Sequence, residues 1–463
     1  MTSITNNYEK ILKEMIFNQF SENFKQKLIK SNNINNVFNY IDIISNLDQS
    51  LCEIALNSLK IIFSAIDKSY CNSTERKAKY HIKAHTSRTI LTIFGEITFT
   101  RITYISKLDG SSFCYLDRYL GLEKYDYFDP YIKASVIEEA SNTSIPIACK
   151  KINDLIGNRV SLEIKTQYLT RQTVRNIILK SIISDVEIPN AETPDNLYIM
   201  LDEKWVHTQR NDGKDEMIKS IVTFENSING KLINKHIFAG RNDKCIKNCL
   251  DFIYQYYDLD KVKNMFFMGD GANWIKVAPR EFKVNNTINI LFCLDKFHFK
   301  QALHHLCLNK EDEKVLESFV INNDRKKFKL CCENLINFYP HRKETIIKKR
   351  DYILNNWKAI LNSNKNNLKC PMESQISHNI AYLFTSRPKG YSIKMLDKLL
   401  ELRLLNRNNQ NIKKLYLNNI NKKDKLTINQ EQLNMDILNK NRNTNPYTNP
   451  YAINYLYSRI NSH

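Results

Sequence analysis

The spacing of apolar residues divides the first hundred residues into a helical region and a strand region. In the first part, apolar side chains recur every three or four positions, which is the repeat of an amphipathic helix. Residues 91–106 instead alternate apolar and polar side chains, and this alternation predicts a strand, with Gly95 at a hairpin turn or bulge. We therefore expect a helical N-terminal region over residues 1–90, followed by a small β element.

Three amphipathic helices are predicted between residues 131 and 185. The last of them follows Thr170, a residue type that caps helix N-termini, and it should expose Arg171, Gln172 and Arg175. Short helices in this arrangement resemble a helix-turn-helix, in which these three side chains would contact DNA. A plain helical bundle explains the same pattern, so both interpretations stay open for the region 91–190.

Strand and helix patterns alternate from residue 196 to residue 295. Three strands come first, then a helix, a fourth strand, a short helix and a fifth strand. The predicted strands are 196–202, 218–228, 231–240, 263–270 and 287–295, and the longer helix is 244–257. This order is typical of an RNase H-like mixed sheet. We therefore predict a multidomain α/β protein whose RNase H-like catalytic domain spans residues 195–400.

The second half of the chain contains a lysine-rich helical block and a basic end. The pattern predicts a helical insertion at about 300–365 that lies outside the sheet. Residues 401–463 are rich in Asn and Lys and are expected to form a tail, since residues 387–463 hold 14 Lys and Arg against 5 Asp and Glu. Such a tail can follow DNA phosphates, or it can be a solvated low-complexity end.

The composition adds information about the setting and the partner. Apolar residues make up 42% of the 463 residues, which is enough for buried cores, and no run of about 18 apolar residues predicts a membrane span. The N-terminus lacks the apolar core of a signal peptide, so a cytoplasmic protein is expected. A formal charge of +19 favours a nucleic acid partner, although the codon bias of an AT-rich genome would raise the lysine count as well.

Several familiar motifs are missing from the sequence. The eleven cysteines are scattered, without a CxxC pair or a ladder of metal ligands. In a reducing compartment, most of them are expected to be small buried side chains. No glycine-rich nucleotide-binding loop occurs, so a reaction driven by a nucleoside triphosphate is not expected.

Two aspartates each end a predicted apolar strand. Asp202 ends LYIMLD, and Asp270 ends NMFFMGD between two of the ten glycines of the chain. Trp205 and Trp274 follow these aspartates closely. Carboxylates at strand ends lie at the sheet edge where ligands collect, and Mg²⁺ prefers carboxylate and phosphate oxygens. One such aspartate would be ordinary, whereas two on the first and fourth strands predict a metal site.

Holding two metal ions requires a third carboxylate, and Glu373, at the start of the helix after the lysine-rich block, is the best candidate. Two metals about 4 Å apart can activate a water or a 3′-hydroxyl and stabilise the leaving oxygen. Asp295 and His298 are three residues apart, so they could line the same cleft or brace it. Glu203 should point to the opposite face of its strand from Asp202.

Six segments resemble, in the same order, a family of bacterial transposases. They are RTILTIFGEITFTRITY (88–104), YLGL (119–122), LDEKWVHTQ (201–209), MGDGANWI (268–275), LDKFHFKQAL (294–303) and ESQISHNIAYLFTSRPKGYS (373–392). Together these segments are similar to the ISLre-type insertion-sequence transposases, a group also catalogued as an uncharacterised protein family. That group is similar to the Mutator-like transposases, which carry a DDE catalytic triad on an RNase H-like fold.

The resemblance implies a set of site residues. Asp202, Asp270 and Glu373 match the triad, and their carboxylates would hold two Mg²⁺ (or Mn²⁺) ions. Asp295 and His298 match a D-x-x-H element and are possible accessory residues. The helical block between Asp295 and Glu373 resembles the insertion that interrupts the fold in such transposases.

The resemblance also implies a reaction and its partners. The protein would be a DNA transposase that binds the terminal inverted repeats of its insertion sequence and the target DNA as a homo-oligomer. It would then cleave DNA and join strands. The DNA contacts are expected from Arg171, Gln172, Arg175, Arg387 and Lys389. Two alternatives stay open: a catalytically silent, transposase-derived DNA-binding protein, and a host RNase H-like nuclease that hydrolyses DNA without strand transfer.

Overall fold

The computed structural model describes nine stretches of the chain. They are residues 40–156, 167–183, 192–209, 215–282, 287–366, 368, 370–376, 380–385 and 390–420. At residues 41–43, 373 and 383 the backbone alone is described. No helix within these stretches is long and apolar enough to cross a membrane.

A long helix covers one face of a small antiparallel sheet at the start of the described chain. The elements are α1 (Tyr40–Asn72), α2 (Thr74–Lys79), β1 (Tyr80–Thr92), β2 (Gly95–Ser106) and β3 (Ser112–Cys114), with the strands in the order β1-β2-β3. Phe63 of α1 packs on Ile97 and Phe99 of β2. The hairpin predicted near Gly95 is confirmed, and this glycine has a φ of +122°, which favours glycine over other residues.

The predicted helical region ends earlier than expected. Residues from Tyr80 onward form a strand, so the prediction of helix up to residue 90 is wrong for its last eleven residues. The strand is stabilised by pairing with β2 along its whole length, from Tyr80 opposite Ser106 to Thr92 opposite Gly95. This partner is remote in sequence, and a local repeat of apolar residues does not report on it. The helices predicted before residue 40 lie outside the described residues.

Four helices follow the small sheet. They are α3 (Tyr115–Tyr119), α4 (Pro130–Asn142), α5 (Ile145–Leu155) and α6 (Arg171–Lys180). The Thr170 hydroxyl accepts a hydrogen bond from the backbone N–H of Thr173 at 3.1 Å, which confirms Thr170 as an N-cap. The connection between α5 and α6 falls in the gap 157–166. The helix-turn-helix therefore stays a prediction, beside the plain helical bundle.

A five-stranded mixed sheet forms the centre of the molecule. Its strands are β4 (Asn196–His207), β5 (Asp215–Phe224), β8 (His236–Gly240), β9 (Asn264–Gly269) and β10 (Asn289–Leu294), in the spatial order β10-β9-β4-β5-β8. Strands β6 (Asn226–Ile228) and β7 (Lys231–Ile233) form a short separate hairpin. Strands β4, β9 and β10 run parallel, whereas β5 is antiparallel to both β4 and β8. Strands occur at all five predicted places, but β4 continues five residues beyond Asp202. The predicted strands 218–228 and 231–240 are each divided in two, because their adjoining ends form the separate β6–β7 hairpin.

Each face of the central sheet packs against a different set of elements. On one face, Leu201 of β4 and Phe267 of β9 pack against α7 (Lys244–Tyr256) and α8 (Asn273–Glu281). On the other face, the alternate residues Met200 and Met268 pack with Met372 and Ile376 of α14 (Met372–Ile376). Side chains alternate along a strand, so all even-numbered positions near Met200 share this second face.

The predicted insertion is helical throughout. It contains α9 (Lys296–Leu306), α10 (Lys310–Ile321), α11 (Arg325–Phe338), a 3₁₀ turn (Pro340–Arg342), α12 (Lys343–Asn355) and α13 (Trp357–Lys365). No strand occurs between residues 300 and 365, all of which are described, and this confirms the prediction. The helices share a core around Phe328, Leu303 and Ile353. Helix α13 attaches this unit to the edge strand β10.

The C-terminal part of the described chain is not a tail. After the short α15 (Tyr382–Phe384), α16 spans Ile393–Arg407, and residues 412–420 are also helical. Leu399, Leu402 and Ile412 are buried in a core shared with α4, α5 and α6. The prediction of a polar tail from residue 401 is therefore wrong up to residue 420, because these helices bury apolar residues between many polar ones. Residues 421–463 lie outside the described stretches.

Candidate active site

Three aspartates lie near the carboxyl-terminal ends of neighbouring parallel strands: Asp202 inside β4, and Asp270 and Asp295 one residue after β9 and β10 end. In the observed register, Met200 of β4 is opposite Met268 of β9, and Cys293 of β10 is opposite the same residue. Two residues further along the chain in each case stand Asp202, Asp270 and Asp295. Since Met200 is buried on the second face of the sheet, alternation along β4 places Asp202 on that face as well. Asp270 and Asp295 follow their strands and lie nearby: the charge of Asp270 acts on Asp202, and the charges of Asp295 and Asp202 both act on Cys370.

The Asp202 carboxylate is in an environment that opposes its negative charge. Burial and the nearby charge of Asp270 raise its pKa to about 6, whereas a hydrogen bond from the backbone N–H of Glu203, 2.7 Å from Asp202 Oδ1, and the charge of His298 lower it. Among the described residues, neither Asp202 nor Asp270 forms an ion pair with a lysine or arginine. A divalent cation between these carboxylates would neutralise them.

The loop that carries Asp270 requires both of its glycines. A Cβ atom on Gly269 would lie 2.8 Å from the carbonyl oxygen of Leu201 in the neighbouring strand, so a larger residue would push β4 and β9 apart. Gly271 has a φ of +87°, which L-residues rarely adopt. The turn is closed by the Ala272 backbone N–H, which donates to Asp270 Oδ1 at 2.8 Å. The GDG triplet therefore fixes the position of the Asp270 carboxylate at the end of β9.

Asp295 both starts a helix and faces His298. Its backbone N–H donates to the Gly269 carbonyl at 2.9 Å, and its Oδ1 accepts from the Phe297 N–H at 3.1 Å, which caps α9. His298 Nε2 is 4.0 Å from Asp295 Oδ2. The sequence suggested Asp295 and His298 as accessory residues, and the structure places both beside Asp202 and Asp270.

The chain segment before Glu373 runs alongside the aspartates. Burial raises the pKa of the Cys370 thiol, and the nearby charges of Asp295 and Asp202 raise it further. Met372 and Ile376 then anchor α14 on the sheet face that carries Asp202. The Glu373 side chain lies outside the described atoms, so its convergence with the two aspartates stays a prediction. Cys370 was not predicted from the sequence, because no local sequence pattern identifies a cysteine as a neighbour of remote carboxylates.

Glu203 and the two tryptophans belong to the opposite side of β4. Trp274 Nε1 donates to Glu203 Oε2 at 2.5 Å, and Lys219 lies over the Trp274 ring at 5.2 Å. This geometry confirms that Glu203 points away from Asp202. Trp205 is 55% exposed further along β4. The Trp274 side chain therefore braces β4 and α8 behind the aspartates.

The described residues contain no group of three or more His, Cys, Asp and Glu side chains arranged to hold a metal ion. The predicted triad includes Glu373, whose side chain is outside that search. Two members of that triad, Asp202 and Asp270, lie close together, and the pKa of Asp202 is raised to about 6. Two carboxylates form a partial ligand set, which a hard divalent cation completes with phosphate oxygens.

The predicted DNA contacts fall into two groups. Arg171 and Gln172 are exposed on α6, as expected, whereas Arg175 is only half-exposed and its Nε atom is buried, which corrects the prediction that it is freely exposed. The reason is that Arg175 follows the buried Val174 on a helix that packs against α4, α5 and α16. Arg387 and Lys389 lie outside the described residues.

A family model described as an uncharacterised protein family, UPF0236, matches residues 33–418. The chain belongs to this family. The matched residues include those of the small sheet, the central sheet, the helical insertion and α16 of this UPF0236 chain. The membership agrees with the expected resemblance to a group catalogued as uncharacterised.

Relatives of this UPF0236 chain occur in Caldanaerobacter subterraneus subsp. tengcongensis. The UPF0236 proteins TTE0610/TTE0881/TTE1053/TTE2432 and TTE1650/TTE2708 are each 24% identical to it over 422 residues, covering 87% of this chain and 85% and 81% of the relatives. UPF0236 protein TTE2489 is 23% identical over 421 residues, covering 87% of this chain and 86% of the relative.

Proposed function

We propose that this UPF0236 protein is a DNA transposase of the DDE type, with Asp202, Asp270 and Glu373 as its metal ligands. The observation that carries the proposal is that Asp202 of β4 and Asp270, directly after the adjacent parallel strand β9, lie close enough for the charge of Asp270 to raise the pKa of Asp202, while no lysine or arginine of the described chain pairs with either carboxylate. Structural ion pairs bring their own cations, whereas a site for a metal ion leaves its carboxylates uncompensated.

The topology of the central sheet supports the same proposal. Numbered along the chain within the sheet, the five strands lie in the order 5-4-1-2-3, the first three antiparallel and the last two parallel to the first. This is the arrangement expected of an RNase H-like sheet, with Asp202 on the first strand and Asp270 after the fourth. The insertion between β10 and α14 lies where the resemblance predicts it.

The name of one relative also supports a mobile element. A UPF0236 protein of Caldanaerobacter subterraneus that is 22% identical over 400 residues carries a name that joins eleven numbered labels. Several labels for one protein are what a gene present in many copies of the same sequence would receive. Multiple copies in one genome are expected of an insertion sequence and not of an ordinary host nuclease.

The proposed reaction consists of two phosphoryl transfers. Two bound Mg²⁺ or Mn²⁺ ions would activate the attacking oxygen and stabilise the leaving one. Water attack on the phosphodiester at the element end would release a 3′-hydroxyl. That hydroxyl would then attack a target phosphodiester, forming one P–O bond and releasing a target 3′-hydroxyl. Asp202 and Asp270 would orient the ions, and His298, one-third exposed beside Asp295, would contact the scissile strand.

A strand-transfer assay tests the proposal. It uses the full chain, labelled DNA carrying the element ends, a target plasmid, and Mg²⁺ or Mn²⁺. We expect cleavage and joining that need the metal and that disappear in Asp202→Asn. The matched control is Glu203→Gln, which changes the adjacent acid on the opposite face of β4 and should keep the activity.

The same assay separates the alternatives. Cleavage without joining would indicate a nuclease. End-specific DNA binding with no cleavage in either metal would indicate a catalytically silent DNA-binding protein. Equal loss of activity in Asp202→Asn and Glu203→Gln would show that the substitutions damage β4 and would remove the support for a metal site.

A further inference from the structure

The helical insertion contacts the Asp270 loop directly. Tyr352, in the last turn of α12, donates its hydroxyl to the carbonyl oxygen of Asp270 at 2.6 Å, and the two residues are 82 positions apart in the chain. The insertion therefore donates a hydrogen bond to the backbone of the loop that carries Asp270.

Asn356, which follows α12, contacts the other side of the same loop. Only 3% of Asn356 is exposed, and its Nδ2 donates to the Tyr352 carbonyl at 2.8 Å. Its Oδ1 is buried and has no hydrogen-bond partner among the described residues. A Cβ atom on Gly271 would lie 2.9 Å from that oxygen. The side chain is thus fixed by its own helix and closely packed against the Gly271 backbone.

The helix that makes these two contacts also carries cationic side chains. Lys348, Lys349 and Arg350 lie in the turn of α12 just before Tyr352, and Lys348 is exposed. Ile346, near the start of the helix, and Ile353, in its last turn, are both buried in the insertion core. A single rigid element therefore connects a basic surface of the insertion to the loop at the end of β9.

We propose that Tyr352 and Asn356 are positioning residues for Asp270, so that the insertion determines where this carboxylate lies. The inference rests on the proposed function, since it takes Asp270 to be a metal ligand. The hydrogen bond from Tyr352 holds the peptide group of Asp270, and Asn356 blocks movement of Gly271 away from the sheet. Phosphate contacts at Lys348 and Lys349 would act on the metal site through α12 without touching it.

The experiment compares Tyr352→Phe with Tyr339→Phe in the full-length protein. Both tyrosines pack against the insertion core, but Tyr339 is not bonded to the Asp270 loop, so it controls for loss of a phenol in that unit. Two quantities are measured: hydrogen–deuterium exchange of the peptide containing residues 268–273, and the affinity for Mn²⁺ alone. A net hydrogen bond of about 1 kcal/mol corresponds to a roughly fivefold change in a local opening equilibrium.

We expect Tyr352→Phe to exchange the loop roughly fivefold faster and to bind Mn²⁺ a few-fold more weakly, while the midpoint of global unfolding changes little. Tyr339→Phe should match the unsubstituted protein in both measurements. Asn356→Ala should also accelerate exchange of the loop, because it removes the packing against Gly271. These effects would support the proposal even in the absence of a DNA substrate.

The outcomes for the positioning role and for the proposed function are separable. Mn²⁺ binding that is lost in Asp270→Asn but unchanged in Tyr352→Phe, with unchanged loop exchange, would overturn the positioning role and leave the metal site standing. Faster loop exchange in Tyr352→Phe, in a protein that binds no Mn²⁺ at all, would support the contact of Tyr352 with the loop and overturn the metal site. Equal effects of Tyr352→Phe and Tyr339→Phe would show general loosening of the insertion and would also overturn the positioning role.

Discussion

Two buried clusters of charged residues in this molecule contain aspartates in opposite circumstances. In the N-terminal layer, Asp117 of α3 accepts hydrogen bonds from Arg88 Nη1 at 2.6 Å and from Arg101 Nη1, and the three side chains are 15%, 7% and 21% exposed. In the central sheet, Asp202 has another carboxylate beside it, and its pKa is raised to about 6.

The charges beside a carboxylate distinguish a structural role from a ligand-binding role. Arg88 also donates to the carbonyl oxygens of Glu123 and Asp126, so the Asp117 cluster connects β1, β2 and the loop before α4. Its carboxylate is paired with arginines of the same chain. No lysine or arginine of the described chain pairs with Asp202 or Asp270, and in the proposed function a metal ion would balance their charge. Burial and residue type are the same in both places, and the neighbours decide the role.

The largest effect is expected at the central cluster. Asp270→Asn should lower DNA cleavage by at least about a hundredfold, because a catalytic metal contributes several kcal/mol and each 1.36 kcal/mol is tenfold in rate. The rate is measured on labelled element ends in Mn²⁺, and thermal unfolding is followed on the same samples. A variant that keeps a tenth or more of the activity would show that Asp270 is not a metal ligand.

The next largest effect is expected at the N-terminal cluster, on stability. Asp117→Asn should lower the free energy of unfolding by about 3–5 kcal/mol, because it leaves the buried Arg88 and the partly exposed Arg101 without their carboxylate. Urea denaturation measures the change. Asp109→Asn, an exposed acid in a nearby turn, is the control and should cost less than about 0.5 kcal/mol. Similar losses in both variants would contradict the structural role of Asp117.

The pH dependence of stability sharpens the same comparison. The pKa of Asp202 is raised from 3.8 in the unfolded chain to about 6 in the folded protein. As the pH rises through this interval, Asp202 ionises more readily in the unfolded chain, so the free energy of unfolding falls. Asp202→Asn should therefore stabilise the metal-free protein by on the order of 2 kcal/mol at pH 8, with the gain vanishing towards pH 4.

Thermal unfolding in a chelating buffer, at intervals from pH 4 to pH 8, measures this gain. A gain that is independent of pH would mean that the Asp202 charge is already balanced in the folded chain. Added Mn²⁺ should reverse the order of the two proteins at pH 8, because the ion binds the carboxylate and not the amide.

The smallest effect concerns DNA affinity. Lys348→Ala combined with Lys349→Ala should lower the slope of log affinity against log salt by up to about 2, because each phosphate contact contributes about 0.9. Fluorescence anisotropy with specific and random duplexes measures the slope. Removal of residues 421–463 should also lower the slope. The chain should not be cut at residue 405, because Ile412 and Leu415 are buried. An unchanged slope in both proteins would indicate that their lysines reflect codon usage alone.

Sequence specificity should depend instead on α6. Arg171→Ala with Gln172→Ala is expected to reduce the preference for element ends over random DNA by about tenfold, with little change in the salt slope. Competition binding at fixed salt measures the preference. If both affinities fall equally, α6 contacts only phosphates, and the base-reading part of the protein lies elsewhere.

The sequence predicted most of the sheet, because its strands are nearly continuous apolar runs bounded by polar residues. The order of the strands along the chain was also predicted, because the apolar runs typical of strands occur in that order in the sequence. Asp270 lies directly after β9, as the sequence predicted, whereas Asp202 lies inside β4, because β4 continues to pair with β5 after its pairing with β9 ends at Met200. Asp295 was underestimated: its place beside the other two aspartates depends on the register between β9 and β10, which a sequence pattern does not contain.

The errors have a common physical origin in contacts between remote parts of the chain. Tyr80–Thr92 is a strand because β2 pairs with it, and residues 393–420 are helical and buried because α4 and α6 provide a surface for their leucines. Tyr352 gave no signal at all in the sequence, since its role depends on a single hydrogen bond to a residue 82 positions away. Such contacts can be found only in the folded chain.

The packing of α16 on the N-terminal helices has a consequence for synthesis of the protein. Arg403, almost completely buried, donates to the Ser141 carbonyl at 3.2 Å across 262 residues. At translation rates of 5–20 residues per second, roughly 15–50 s pass between the emergence of these two partners from the ribosome. During that interval the apolar surface of α4 and α6 is uncovered. An incomplete chain therefore has an exposed hydrophobic face, and nascent polypeptides halted before residue 390 should be preferred substrates for chaperones and proteases.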